Sequence, residues 1–219
     1  MVKRGNVLPQ TLHGKLCLLA YTQTAGRFEP DGLRYFGFAL RAAMIADLCL
    51  YGNLADYDVA PAVTPNPVPD DPVLAAMLDQ IRSINPISWQ AAVAQGHQAA
   101  PRSVQQQLET DGWLIAHRRR VLGVSVTRYQ LRDVSQVSRL HDDVNEALAD
   151  VLNKRCPTDD SGLLVLGLIC VSAEIPHKFC NENDLLHAGR GFCPPALAHP
   201  LKGLCQAITA YEAQRGGMW

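Results

Sequence analysis

From Tyr35 to Tyr51 the chain reads YFGFALRAAMIADLCLY, an apolar run broken by Arg41 and Asp47. No other feature limits the fold so much. A helix made from this run is apolar on most sides, so other parts of the chain must enclose it. It is too short and too charged to span a bilayer, which takes roughly 20 apolar residues. A second run, Leu163 to Ala173, has the same character and is shorter. Two such helices need a shell of amphipathic elements. With 219 residues, 47% of them hydrophobic and 19% charged, the chain can build that shell and a sizeable core.

Caps and periodicity mark the shell. Thr11 is placed to cap a first helix, LHGKLCLLAY. Asp31 is an N-cap candidate for the long apolar helix and Gly52 its stop. NLADYDVAPAV alternates and predicts a short hairpin, followed by a rigid proline-rich loop, TPNPVPDDP. Asp71-Pro72 reads as an N-cap with Pro at N1, and Val73, Leu74, Met77, Leu78 and Ile81 give the next helix its apolar face. A short helix after Pro86 carries Trp89 and Val93. Ser103 with Gln106 reads as a capping box, with Gly112 as the stop. WLIAHRRRVLGVSVTRYQL then predicts a second hairpin whose basic segment is its turn. Asp133 and Gln136 open a helix through Val137, Leu140, Val144, Leu148, Val151 and Leu152. PHKFCNENDLLHAGRGFCPP reads as an irregular linker, and Leu201, Leu204, Cys205, Ile208 and Tyr211 mark a last helix. The expected fold is mainly α: a single helical domain over residues 1–219, around buried core helices, with one or two β-hairpins.

The chain lacks Gly-x-Gly-x-x-Gly, a Walker-type Gly-Lys-Ser/Thr, Gly-x-Ser-x-Gly and His-Glu-x-x-His, so neither an enzyme nor a cofactor is expected. Net charge is -1, so any attraction to polyanions must be local. The opening MVKRGNVLPQTLHGK has no apolar core of a secretory signal, and seven cysteines form no Cys-x-x-Cys. A reducing, cytoplasmic setting with free thiols is expected. His177, Cys180, His187, Cys193, His199 and Cys205 crowd the tail, but their spacing is not a frequent zinc pattern, and no metal is expected there.

The segment His117-Arg118-Arg119-Arg120 before Val121 and Leu122 has three readings. It can be a solvated turn. It can be the wing of a winged helix, with the arginines on nucleic-acid phosphates. It can be a membrane tip, where each Arg near an anionic surface contributes roughly 1 kcal/mol and Val121 and Leu122 add apolar contact.

Four segments, LCLLAYTQTAGRF, ALRAAMIADLCLYGNLADYD, PNPVPDDPVLAAMLDQI and LETDGWLIAHRRRVLGVSVTRYQL, resemble the Golgi phosphoprotein 3 family in order and spacing. That family is also called the 34-kDa Golgi phosphoprotein family and has many bacterial members. The resemblance is clearest from Leu12 to Leu152 and continues weakly through Leu163–Ala173, whereas residues 174–219 diverge. It implies a mostly α-helical fold around a buried helical core, with a protruding β-hairpin. It also implies phosphatidylinositol 4-phosphate binding at a membrane and an adaptor role, as in eukaryotic members. Their lipid pocket uses a tryptophan ahead of the long helix, an arginine within it, and two arginines three apart near the helix before the hairpin. The helix arginine corresponds to Arg41, the tryptophan to Gly32, and the pair to the neighbourhood of Pro101 and Arg102. The family hairpin has an apolar tip, whereas His117, Arg118, Arg119 and Arg120 are expected at this one.

These matches and departures set the functional expectation: a non-enzymatic, bacterial-type member, peripheral on the cytoplasmic membrane face. It would bind anionic lipid head groups through Arg41 and Arg102 and through a tip formed by His117, Arg118, Arg119, Arg120, Val121 and Leu122. No strong preference for phosphatidylinositol 4-phosphate is expected. Membrane proteins and a second copy of the chain are further expected partners. Nucleic acid is the alternative.

Overall fold

The computed structural model describes residues 8–21, 34–57, 60–84, 86–121, 124–153, 161–175, 189 and 191–216. In chain order its elements are α1 (Leu12–Leu19), α2 (Phe36–Leu50), β1 (Leu54–Tyr57), β2 (Ala60–Val63), α3 (Pro72–Ile84) and α4 (Trp89–Ala94). Then come α5 (Ala100–Thr110), β3 (Leu114–Val121), β4 (Val124–Leu131), α6 (Val134–Leu152), α7 (Ser161–Ser172) and α8 (Pro195–Gly216). The fold is mainly α. Each pair of consecutive strands forms an antiparallel two-stranded sheet.

The apolar run forms α2, and the shell closes around it. Helices α1, α3, α4, α5, α7 and α8 and strand β1 all touch it. Leu40, Ile45 and Leu48 are fully buried and Met44 nearly so. Helix α7 is buried along almost its whole length and packs on α1, α2, α6 and α8. Close approach sets one requirement. A Cβ at Gly37 would overlap the carbonyl of His97, so only glycine lets the segment before α5 lie against α2.

Several caps stand where the sequence puts them. Asp71 Oδ1 accepts the Val73 and Leu74 backbone N–H groups at 2.9 and 3.0 Å and starts α3. Asp133 Oδ1 accepts those of Ser135 and Gln136 at 3.1 and 3.2 Å and starts α6. Gly112, with φ +80°, turns the chain out of α5. Asp31 lies outside the described residues.

Other expectations need correction. Thr11 precedes α1, but its side chain makes no capping bond. Asp47 of α2 takes that role, accepting the N–H groups of Leu12 at 2.8 Å and His13 at 3.1 Å. Ser103 does not start α5. The helix begins at Ala100, with Pro101 in its first turn, where a missing N–H costs nothing. The last helix starts at Pro195, ahead of the expected Leu201, and contains Pro200. Its Leu197, Leu204 and Ala207 are buried, so the divergent tail contributes to the same core as α1 to α7.

The second hairpin carries the correction with most consequence for function. Its register pairs Leu114 with Leu131 at one end and Val121 with Val124 at the other. His117, Arg118, Arg119 and Arg120 therefore belong to strand β3, opposite Arg128, Thr127, Val126 and Ser125. They do not form the turn. The two residues between the paired ends are Leu122 and Gly123, which lie outside the described residues. A strong β-pattern on both sides extends the ladder through the arginines, and a two-residue connection containing Gly suits such a hairpin.

Candidate functional site

Helices α2, α3 and α5, with the segment joining α4 to α5, enclose a cavity of about 490 Å³, within the range of small-molecule sites. Among the described residues, Arg41 of α2 is the only charged one in its lining. The helix is buried on all sides, so the guanidinium is buried too, with 5% of Arg41 exposed. Its Nη1 donates to Gln80 Oε1 at 2.9 Å and its Nη2 to the Ala92 carbonyl at 2.8 Å. Its Nε is buried and, among the described residues, has no acceptor. Burial pulls Arg41 down from its ordinary value to about 10. Among the described residues the cation is held by neutral acceptors alone.

The walls come from helical spacing. Ser103, Gln106, Gln107 and Thr110 follow at i, i+3, i+4 and i+7 on α5 and line the cavity. From α3, Gln80 turns its oxygen to Arg41, because a guanidinium only donates, and this leaves the Gln80 amide N–H₂ unused by that contact. The Gln107 amide is spent behind the wall. Its Nε2 donates to Asp71 Oδ2 at 2.6 Å, and its Oε1 lies 3.4 Å from His13 Nε2. His13 in turn meets Asp47 through Nδ1 at 2.8 Å. This buried network joins α1, α2, the start of α3 and α5, and it holds one side of the cavity rigid.

The structure separates the two arginines expected to share a head group. Arg102 is exposed on α5 and absent from the cavity lining. Its charge acts on Tyr129 of β4, on the hairpin side of the helix. Gly32, at the family's tryptophan position, lies outside the described residues. From sequence, Ser103 and Gln106 read only as a cap, and Gln80 and Thr110 were not singled out. The signal was there in the polar stripe along α5, which a misplaced cap at Ser103 concealed.

The hairpin is the second part of the site. Arg118 donates through Nη2 to both carboxylate oxygens of Glu109, at 2.7 and 3.0 Å, tying β3 to α5. Side chains alternate along a strand, so Arg118 and Arg120 share the face of buried Leu114, whereas His117 and Arg119 share that of Ile115. Arg128 and Val126, opposite His117 and Arg119, extend this second face. Ile115 and Val126 are 40% and 39% exposed there, beside exposed His117, Arg119 and Arg128. An apolar and basic surface results. The side chain of Val121 and all of Leu122 lie outside the described residues.

In the tail, His177, Cys180 and His187 lie outside the described residues. His199 stacks on Trp89, with ring centroids 5.5 Å apart, and its Nε2 lies 3.2 Å from Asp56. Among the described residues no group of three or more His, Cys, Asp or Glu side chains could hold a metal. Cys17, Cys49, Cys170, Cys193 and Cys205 are free thiols. Burial pushes Cys49 and Cys170 up to about 12 and Cys193 to about 11, which suits inert structural positions. Among the described residues no helix is long and apolar enough to cross a membrane.

Comparison with curated proteins gives no match. The profile of the Golgi phosphoprotein 3 family, GPP34, matches residues 12–187, a span that runs from the first residue of α1 past the end of α7 and takes in both hairpins. With that much of the chain matched, and with an enclosed core helix and a β-hairpin in the positions the resemblance implies, this chain belongs to the Golgi phosphoprotein 3 (GPP34) family.

Proposed function

We propose that this protein is a non-enzymatic peripheral membrane protein that binds anionic phospholipid head groups. Arg41 carries the proposal: a buried guanidinium, with no carboxylate on it among the described residues, on the wall of a cavity. Burying an uncompensated cation is costly, and an anion entering the cavity offsets that cost. The hairpin supplies the second contact. Its apolar and basic face fits the boundary between head groups and acyl chains, where Arg119 and Arg128 meet anionic lipid and Ile115 and Val126 add apolar area. Family membership supports this reading and suggests an adaptor that brings membrane proteins to the cytoplasmic face.

Flotation with phosphatidylcholine vesicles of rising anionic content tests it. Binding should rise with surface charge, fall with salt, and weaken about tenfold or more when Arg41 is replaced by Gln. Binding to duplex DNA with none to any vesicle would replace this proposal with a winged-helix reading.

A further inference from the structure

We infer that the cavity beside Arg41 selects a head group with one negative charge and free hydroxyls, a phosphodiester-linked polyol, over a phosphomonoester dianion. The inference rests on the reading of that cavity as the head-group site. A dianion is held by several converging cationic donors. Among the described residues one guanidinium faces the cavity, and two of its N–H bonds already go to Gln80 and Ala92. A second negative charge would also approach Asp71, whose carboxylate stands directly behind Gln107. Attraction and repulsion together match a single charge.

The hydroxyl part follows from which atoms the walls leave free. Ser103 Oγ donates to the Ala99 carbonyl at 3.4 Å and Thr110 Oγ1 to the Gln106 carbonyl at 3.0 Å. Each hydroxyl hydrogen is thus turned into the helix backbone, and toward the cavity the two oxygens offer lone pairs. Acceptors of this kind match ligand O–H donors. The second N–H of Arg41 Nη1 and the Gln80 amide N–H₂ supply the donors on the other wall, where the phosphodiester oxygens belong. Phosphatidylglycerol has this chemistry, as does unphosphorylated phosphatidylinositol.

Four vesicle types at matched total charge test the inference: phosphatidylcholine doped with phosphatidylglycerol, phosphatidylinositol, phosphatidylmethanol or phosphatidylinositol 4-phosphate. Phosphatidylmethanol carries the single charge without a hydroxyl. The two polyol diesters should bind about tenfold tighter than phosphatidylmethanol, the scale of one or two hydrogen bonds. They should also bind tighter than phosphatidylinositol 4-phosphate. In the double variant Ser103→Ala, Thr110→Val, at two exposed positions, the advantage over phosphatidylmethanol should fall to about threefold or less. Equal binding of phosphatidylglycerol and phosphatidylmethanol, with Arg41 still required, overturns this inference and leaves the head-group reading standing. Equal or tighter binding of phosphatidylinositol 4-phosphate does the same. Vesicle binding unaffected by Arg41→Gln, or no binding to any vesicle, overturns both. The comparison among lipids uses the unaltered protein, so it decides even where a variant fails to fold.

Discussion

Arg41 and Asp47 lie six residues apart on α2, ~120° around the helix, and do not neutralise each other. Asp47 turns to the start of α1 and to the His13 ring, whereas Arg41 turns to Gln80 and Ala92. The two charges that interrupt the apolar run therefore do different work. One fastens a neighbouring helix. The other meets only neutral acceptors among the described residues.

Arg41→Met separates these roles. It keeps length and removes a charge that folding leaves without a counter-ion, so urea unfolding should show stability within about 1 kcal/mol of the parent, or higher. Vesicle binding should fall in the same variant. The sign for pH follows from the downward shift: burial pulls Arg41 to about 10 in the folded chain, below its ordinary value. The cost of its charge is fully present at neutral pH and is relieved only as pH rises above about 10. A bound anion relieves it at neutral pH, so anionic vesicles should raise the melting temperature of the parent more than that of the variant. A destabilisation beyond about 3 kcal/mol in Arg41→Met would identify a structural anchor instead.

Asp47→Asn should destabilise strongly. The carboxylate accepts from two backbone N–H groups and from the His13 ring. An amide offers one oxygen and turns an N–H₂ toward those donors, at about 1–3 kcal/mol per unsatisfied group. Urea titration should show a loss of about 3 kcal/mol or more. A change under about 1 kcal/mol would show that α1 holds its place without this cap.

Arg118 and Arg119 should differ although they are neighbours in sequence. Arg118 is compensated by Glu109, whereas Arg119 stands exposed on the face of Ile115 and Val126. Arg119→Ser should weaken binding to anionic vesicles about fivefold, the scale of one Arg near a charged surface. Arg118→Ser should cost less than half as much in free energy, since Arg118 lies on the opposite face of the strand and is held there by Glu109. Equal effects, or a larger one at Arg118, would show that the hairpin meets the membrane by its other face.

Asp133→Ala removes the cap of α6, and about 1 kcal/mol should be lost at neutral pH. The side-chain hydrogen bond from Ser135, then those from Gln136, hold the Asp133 carboxyl down to about 2, below the ordinary 3.8. Its contribution is therefore complete above about 4 and disappears as pH falls through about 2. Solvent screening keeps the effect to the size of one cap. Measured by urea unfolding, the gap between parent and variant should narrow below pH 4. A gap that is constant to pH 2 means that the bonds do not depend on the charge.

What the sequence determined by itself is the local part. The enclosure of Tyr35–Tyr51 and Leu163–Ala173, the caps at Asp71 and Asp133, the stop at Gly112 and the two hairpins all depend on residues within a turn or two of one another. Steric preference and hydrophobic spacing act at that range. The resemblance to the family was legible too, because it rests on the order of such segments. Only the tertiary structure decided that Asp47 and not Thr11 caps α1, since the two are far apart in sequence and meet through packing. It decided that the arginines run within β3, because register depends on cross-strand pairing along the whole ladder. It also decided that Arg41 and Arg102 face different neighbours and that, among the described residues, no carboxylate reaches Arg41. Whether a buried charge is paired depends on which distant side chains enclose it, and periodicity along the chain carries no record of that.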